Sequence, residues 1–256
     1  MNDWDEGNFK FIAVIFVGVL LYLLGYFFFV TPAHSQSLDT QSSIDSAQAA
    51  TNYINNNSIY IDQIGSNNTI YIQQNSSQSG IAGPGQNSMP IQGTGNTVKI
   101  RQGDPTNPFG SNLIEGAIYG DYNYVGANQG ITLNNQTNGQ DAGGHYQMIS
   151  ISGSNNTVNT EQTNTNAGAH YLSTTIVGNY NTQTISQSDN TAKNVTANTQ
   201  GNSNTLSVSQ SGLGSQSLNV NLLGNGNSAT VTQYGNTSNS ANISITNAGE
   251  IGRAHV

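Results

Sequence analysis

A ten-residue signature recurs seven times along the chain: a glycine, an asparagine three residues later and a glutamine nine residues after the glycine. The glycines are Gly65, Gly93, Gly120, Gly153, Gly178, Gly201 and Gly224. The amide pairs that follow them are Asn68/Gln74, Asn96/Gln102, Asn123/Gln129, Asn156/Gln162, Asn181/Gln187, Asn204/Gln210 and Asn227/Gln233. The last four glycines fall 25, 23 and 23 residues apart. This near-constant period predicts stacked repeats, because a unit this short cannot bury its own apolar face.

Within each copy, apolar and polar residues alternate as in a strand with one buried face. In the first copy Ile70 and Ile72 lie between Asn68 and Gln74 at every second position, so all four share one face of an extended chain. A second alternation precedes each glycine, as in Leu218, Val220 and Leu222. Each repeat therefore reads as strand, turn, strand, with glycine and asparagine in the turn because both tolerate positive φ.

The identical offsets of the amides distinguish a β-arch from a hairpin. In an arch each strand pairs with its counterpart in the next repeat, so asparagine stacks on asparagine and glutamine on glutamine about 4.8 Å apart. A hairpin meander gives no reason for such offsets. The sequence predicts an all-β, two-layer β-solenoid with one repeat per rung, in which the Asn and Gln residues form ladders and the glycines form turns.

Composition narrows the function classes. The chain has 256 residues, only 7% of them charged, and a net charge of −8. Nucleic-acid binding needs basic stripes, which an acidic chain with five basic residues does not supply. Cysteine is absent, so ladders and packing rather than disulfides must stabilise the fold. A prion-like, low-complexity chain is the alternative, but low complexity alone does not keep apolar pairs in phase across seven copies.

The segment before the repeats predicts export. Residues 11–30 carry no charge and are long enough, as one hydrophobic helix, to cross a bilayer. Residues 1–34 are either a cleaved signal peptide, with a small-x-small site at Ala33-His34-Ser35, or a retained transmembrane anchor. Residues 35–56, rich in Ser, Gln, Asn and Ala, read as a flexible spacer.

Regularity divides the repeats in two. Insertions at 75–89 and 131–144, and Pro105 and Pro108 within 103–110, predict an irregular solenoid with loops at its corners over 57–144. Residues 145–249 hold the regular repeats. At the end, Ala241, Ile243, Ile245 and Asn247 predict the first strand of an eighth arch that is never completed. Residues 250–256, with Glu250, Arg253 and His255, are expected to be a tail.

No constellation predicts catalysis or a cofactor. His145-Tyr146 and His170-Tyr171 stand eight and seven residues before their turn glycines, so adjacent rungs should stack His on His and Tyr on Tyr. No carboxylate or thiolate column completes a metal site beside them. Serines lack a partnered His and acid, and nucleotide-binding signatures are missing. We expect no enzyme, no metal and no cofactor.

The repeat resembles the curlin repeat of bacterial curli amyloid fibres, Ser-x5-Gln-x-Gly-x-Gly-Asn-x-Ala-x3-Gln. Residues 224–233 fit its second half at every defined position, with Gly224, Gly226, Asn227, Ala229 and Gln233, while Ser217 sits one residue too close to the turn. The resemblance covers residues 57–249, most closely from 145 onward. It implies a self-assembling extracellular fibre subunit that serves adhesion and biofilm matrix, with no counterpart here of the amino-terminal targeting segment of curli subunits.

Two function classes remain open. In the first, the chain polymerises with copies of itself by end-to-end stacking of rungs, since end strands present unpaired backbone groups. In the second, it is a membrane-tethered or virion-borne solenoid adhesin that displays its loops and does not polymerise. An ice-binding solenoid is a weaker third class, because the outward face lacks a regular Thr-x-Thr rank.

Overall fold

The structure, a computed structural model, describes residues 57–75, 79–83, 88–103, 111–130, 143–164, 168–246, 249 and 251–255. These residues are all-β. None of them belongs to a helix long and apolar enough to cross a membrane. The predicted signal peptide or anchor, residues 1–34, and the spacer, residues 35–56, lie outside the described residues.

Eighteen strands are described, and alternation of buried and exposed side chains runs through most of them. The first nine are β1 (Ser58–Ile59), β2 (Ile61–Ile64), β3 (Thr69–Gln74), β4 (Gly80–Ala82), β5 (Met89–Gln92), β6 (Thr97–Gln102), β7 (Leu113–Tyr119), β8 (Tyr124–Gln129) and β9 (Tyr146–Ser152). The rest are β10 (Thr157–Gln162), β11 (Tyr171–Val177), β12 (Thr182–Gln187), β13 (Lys193–Gln200), β14 (Thr205–Ser211), β15 (Gln216–Leu223), β16 (Ser228–Tyr234), β17 (Asn239–Ile245) and β18 (Ile251–His255).

The strands form two parallel sheets. The first sheet has the order β1-β4-β7-β9-β11-β13-β15-β17, with β2 and β5 paired beside its first strands, and the second has the order β3-β6-β8-β10-β12-β14-β16-β18. Each chain segment passes from the first sheet through a turn into the second and then returns one level along the stack. Strand β14 pairs with β16 so that Thr205 meets Ser228 and Gln210 meets Gln233. The predicted β-solenoid of arches is confirmed, and the hairpin alternative is excluded.

The front half differs from its prediction at the first insertion. Residues 75–89 contain β4, which pairs in parallel with β1 and β7. Part of the insertion therefore belongs to the first sheet, where β4 and β5 together form one layer of the stack, and it is not a loop at a corner of the solenoid. The reason is apolar burial: Ile81 and Met89, on either side of the interruption, are both fully buried in the core.

The carboxyl end also differs from its prediction. Strand β18 pairs with β16 from Ser228 to Thr232, so the eighth arch is completed, and the predicted tail contains a strand. The amide signature is missing from this strand, which is why periodicity did not reveal it. Small residues take the inward positions instead, with Gly252 against Ile245 and Ala254 packed on the same core.

The core between the sheets consists of two apolar clusters. The first centres on the isoleucines of β5 to β9 and reaches Val158 and Ile176. The second begins at Leu172 and Ile185 and continues through the Leu and Val residues of β13 to β16. The clusters meet in the middle of the stack, where several inward positions hold amide and hydroxyl side chains.

Candidate functional site

The turns after the first-sheet strands form a column of glycines with positive φ. Gly178 has φ 127° and Gly201 has φ 118°. A Cβ atom on Gly178 would lie 2.0 Å from the Gly201 carbonyl oxygen, and one on Gly201 would lie 1.9 Å from that of Gly224. Conformation and stacking therefore both demand glycine at this corner. The third turn residue is also left-handed, and Asn155, Tyr180 and Ser203 accept this conformation at φ 57–59°.

The predicted asparagines come together in one column beside the glycines. The backbone N–H of each later asparagine donates to Oδ1 of the preceding one at 2.8–3.0 Å. Nδ2 of each of the first six donates to the turn glycine carbonyl of the next arch at 2.8–3.0 Å. The asparagine ladder thus binds the turn of one arch to the turn of the next.

The predicted glutamines form a second column at the opposite corner. Nε2 of each of the first six donates to Oε1 of the glutamine in the following arch at 2.6–3.2 Å. The same nitrogen also reaches a backbone carbonyl of the first sheet, such as Tyr171 O from Gln187. The glutamines therefore join neighbouring arches and also join the two sheets. At the first arch, Oε1 of Gln74 is buried and accepts no hydrogen bond from the described residues.

A third column holds the two histidines. His145 and His170 are fully buried and stacked with their centroids 4.9 Å apart, and Tyr146 and Tyr171 stack beside them at 5.1 Å. Nδ1 of His145 accepts the backbone N–H of His170 at 3.1 Å, and Nδ1 of His170 accepts that of Lys193 at 3.2 Å. These histidines serve as acceptors for the next arch, like the asparagine ladder.

Lys193 continues the histidine column, and sequence reasoning missed it. Its Nζ donates to the carbonyls of Gly212 at 2.8 Å, Gly214 at 3.0 Å and Thr191 at 3.1 Å, and to the Thr191 hydroxyl at 2.6 Å. Burial lowers the pKa of the Lys193 ammonium, and Asp189 opposes part of that effect. The sequence position could have predicted this placement, because Lys193 stands eight residues before Gly201, as His170 does before Gly178.

A polar layer inside the core was also missed. Thr160 Oγ1 donates to Gln147 Oε1 at 2.6 Å, and Gln147 Nε2 donates to the Asn128 carbonyl. One level on, Gln183 accepts from Thr174 and donates to Thr199 at 2.8 Å. The alternation of positions along each strand predicts that these side chains point inward. It does not predict which of them form hydrogen bonds with each other across the two sheets.

The outer face of the front arches carries two contacts between a cation and an aromatic ring. Lys99 lies over the Tyr124 ring, and Arg101 lies over the Tyr71 ring. The Tyr146 hydroxyl donates to Glu115, and burial together with this bond raises the Tyr146 pKa. The matching face of β12, β14 and β16 instead presents threonine and serine, apart from the exposed Tyr234 at the end of β16.

Among the described residues, no group of three or more His, Asp or Glu side chains could hold a metal ion. A comparison with protein families, with curated proteins and with solved structures finds no match to this chain. The arguments on function therefore rest on the ladders, the ends of the stack and the surface.

Proposed function

We propose that this chain is a structural subunit that stacks end to end with copies of itself into an extracellular, curli-like amyloid fibre serving adhesion and biofilm matrix. The observation that carries the proposal is the state of the core at the two ends of the described solenoid. Ile59, Ile61 and Ile70 at the first arch are only partly buried, as are Ile243 and Ala254 at the last.

Three inward columns of the two ends are complementary in size. Following the inward columns through the strand registers places Ile59 in line with Ala241, Ile70 with Gly252 and Ile72 with Ala254. In these three columns a large side chain at one end faces a small one at the other when a second copy continues the stack, whereas Ile61 lines up with Ile243. Removing this apolar surface from water favours docking by roughly 25 cal/mol for each Å² buried.

The backbone supports the same direction of growth. In the described residues, β1 and β2 begin the first sheet, β3 begins the second, and β17 and β18 end them, so each has an open edge. Joining the first arch of one copy to the last arch of another is a heterologous contact, which forms an open filament when its rotation does not close. Every copy added this way presents the same two ends again.

Export and location are part of the proposal and come from sequence alone. The uncharged run at residues 11–30 supports passage through a membrane, either as a cleaved signal peptide or as a retained helix. The resemblance of residues 224–233 to the curlin repeat supports the fibre class. An acidic chain supports partners other than nucleic acid.

One observation favours the alternative, a tethered or virion-borne adhesin that does not polymerise. Strand β18 completes the last arch without ladder residues, as a terminal cap does in repeat proteins.

Assembly of matched end variants tests the proposal. Ile243→Lys places a charge on the inward side of β17, whereas Ser244→Lys places one on the exposed side of the same strand. Sedimentation and thioflavin fluorescence should detect fibres of the unmodified chain and of Ser244→Lys, with assembly at least tenfold slower for Ile243→Lys. A chain that stays monomeric at high concentration, or equal assembly of the two variants, contradicts the proposal.

A further inference from the structure

Exposed apolar and aromatic side chains are concentrated along the turns that follow the first-sheet strands. The turn edge is defined here as the residue before each turn glycine together with the third residue of each turn, counting the glycine as the first. Among the described residues, eleven large apolar or tyrosine side chains are exposed, and six of them lie on the turn edge: Ile64, Tyr119, Tyr122, Val177, Tyr180 and Leu223. An exposed apolar surface of this kind is typical of a site that binds another protein.

The first column of the turn edge has an apolar side chain in every second arch. The strand registers align the residues that precede the turn glycines, so Ser152 lies between Tyr119 and Val177. One arch further on, Gln200 lies between Val177 and Leu223. Parallel strands are about 4.8 Å apart, so the apolar side chains in this column recur about every 9.6 Å.

The second column follows the same alternation. Tyr122, Asn155, Tyr180 and Ser203 hold the third position in four successive turns, and these turns stack through backbone hydrogen bonds such as the one from the Tyr180 N–H to the Ser154 carbonyl. Tyr122 is 63% exposed and Tyr180 is 65% exposed. The two columns are in phase, because each tyrosine belongs to an arch in which the residue before the glycine is also apolar or aromatic.

The turns that carry these side chains are held in place and nearly uncharged. Oδ1 of Asn179 accepts the Ser154 N–H at 2.8 Å, and Oδ1 of Asn202 accepts the Asn179 N–H at 2.9 Å. Asp121 is the one charged residue in the seven turns, and its Oδ1 accepts the Thr94 N–H at 2.7 Å. Such a surface loses little conformational freedom on docking and favours an uncharged partner surface.

The spacing of the apolar side chains indicates what that partner is. A surface that fits the turn edge along its length must offer polar, less bulky positions about every 9.6 Å, and the turn edge itself offers them in alternate arches. Two antiparallel copies can therefore interdigitate across a two-fold axis. The arch with Val177 and Tyr180 then faces the partner's arch that corresponds to Ser152 and Asn155 in this chain, and the reverse contact is identical.

We propose that the turn edge binds the turn edge of a second copy, in an antiparallel, side-by-side pair anchored by Tyr122 and Tyr180. This contact is separate from end-to-end stacking and does not require it, because one copy contains the whole surface. Six paired arches give an interface about 24 Å long but narrow, so a single pair is weak. Where copies are also joined end to end, many such pairs act together.

Sedimentation equilibrium of the purified full chain carrying Ile243→Lys tests the inference, because the charge at the end of the core prevents end-to-end stacking. Adding Tyr122→Asn and Tyr180→Asn removes both rings and keeps the turns, since Asn155 has φ 58° at the same turn position. The dimer association constant should fall at least tenfold. Tyr234→Asn is the matched control, because Tyr234 is 68% exposed and lies outside the turn edge, and it should change the constant less than twofold. All variants share residues 1–56, so any association through that segment is the same in each.

Asn155→Tyr distinguishes a fitted interface from general adhesiveness. It adds an exposed aromatic ring at a left-handed position that tyrosine tolerates, as Tyr180 shows at φ 57°, but it fills the arch that must receive a partner's ring. It should therefore lower the dimer association constant at least tenfold.

Three results overturn the inference: a chain that stays monomeric at millimolar concentration, undiminished association of Asn155→Tyr, or equal loss of association in Tyr234→Asn. Thermal melting of each variant separates lost association from lost folding. If Ile243→Lys melts early, Ala254→Lys places the blocking charge on β18 instead. Fibre growth is measured in the chain without these end substitutions, so failure of end-to-end stacking and failure of side-by-side pairing are distinguished.

Discussion

The front and back halves of the solenoid hold their arches together in different ways. In the front half, residues 57–130, the core columns between the asparagine and glutamine ladders are mostly apolar, and Ile91, Ile100, Ile114 and Ile118 are fully buried. The connections there are irregular, and one strand level is interrupted between β4 and β5. In the back half the spacing of arches is nearly constant, yet Gln147, Thr174 and Gln183 occupy core positions.

The difference indicates that a stacked fold can be stabilised in two ways. One is the burial of apolar side chains, and the other is hydrogen bonding between polar side chains at regularly spaced positions. A fully apolar column gains free energy by removing side chains from water, whatever the length of the loops between levels. Polar columns gain only about 0.5–1.5 kcal/mol for each bond and need every partner in register. The back half can use polar core residues because its spacing is regular, whereas the front half tolerates insertions because its core is apolar.

The largest expected effect comes from breaking the corner that both halves share. Gly178→Ala puts a Cβ atom into the Gly201 carbonyl, so the arches must separate locally. We expect a loss of about 4 kcal/mol or more in the free energy of unfolding, measured by urea denaturation. Gly249→Ala is the control, because its φ is also positive, at 74°, but no atom of the residues that the structure describes lies within 4 Å of the added Cβ. Only about 1 kcal/mol should be lost there.

The next largest loss in the free energy of unfolding is expected from substitutions at equivalent core positions in the two halves. The registers place Ile118 and Thr199 in the same inward column. Ile118→Ala should cost about 2–5 kcal/mol because it leaves a cavity in an apolar layer. Thr199→Ala should cost about 1–3 kcal/mol because it removes the acceptor of Gln183 Nε2. Equal losses in urea denaturation would mean that the halves do not differ as described.

The ladder amides give a smaller effect. Replacing Gln210 and Gln233 by alanine removes adjacent members of one column and should cost about 1 kcal/mol per lost bond. Replacing the outward Ser209 and Thr232 in the same strands should cost less, because these side chains keep water as a partner. Chemical melting and fibre growth compare the two pairs. Greater damage from the outward pair would contradict the inward assignment.

Sequence alone predicts the repeated parts of this fold and fails where a repeat changes. The period-two pattern and fixed offsets place the ladder amides and turn glycines, because each position recurs seven times. Strand β18 could not be predicted, because small residues such as Gly252 and Ala254 are typical of a loop. Strand β4 could not be predicted, because its three residues are too few to show an alternating pattern. The hydrogen bonds of Lys193 Nζ could not be predicted, because the acceptors are backbone carbonyls of Gly212 and Gly214, which only the fold brings close to Lys193.

The smallest expected effect is a pH dependence that arises from Lys193 in the back half. The ammonium of Lys193 has a lowered pKa in the folded chain, whereas the unfolded chain keeps the ordinary value of about 10.4. As pH rises from the folded pKa towards 10.4, the folded chain loses its proton first. The unfolded state then binds more protons, so stability rises with pH through this window.

Lys193→Met keeps the length of the side chain and removes the titration. Urea denaturation of both chains between pH 8 and pH 10 measures the difference, and the slope should be more positive for the unmodified chain. The window stops there because the raised pKa of Tyr146 acts in the opposite direction. Above about pH 10 the unfolded tyrosine ionises first and stability falls. Parallel slopes in the two chains would show that the oxygen acceptors around Nζ stabilise the charged form of Lys193 as well as water does. Burial of this polar group in the back half would then not reduce the free energy of unfolding.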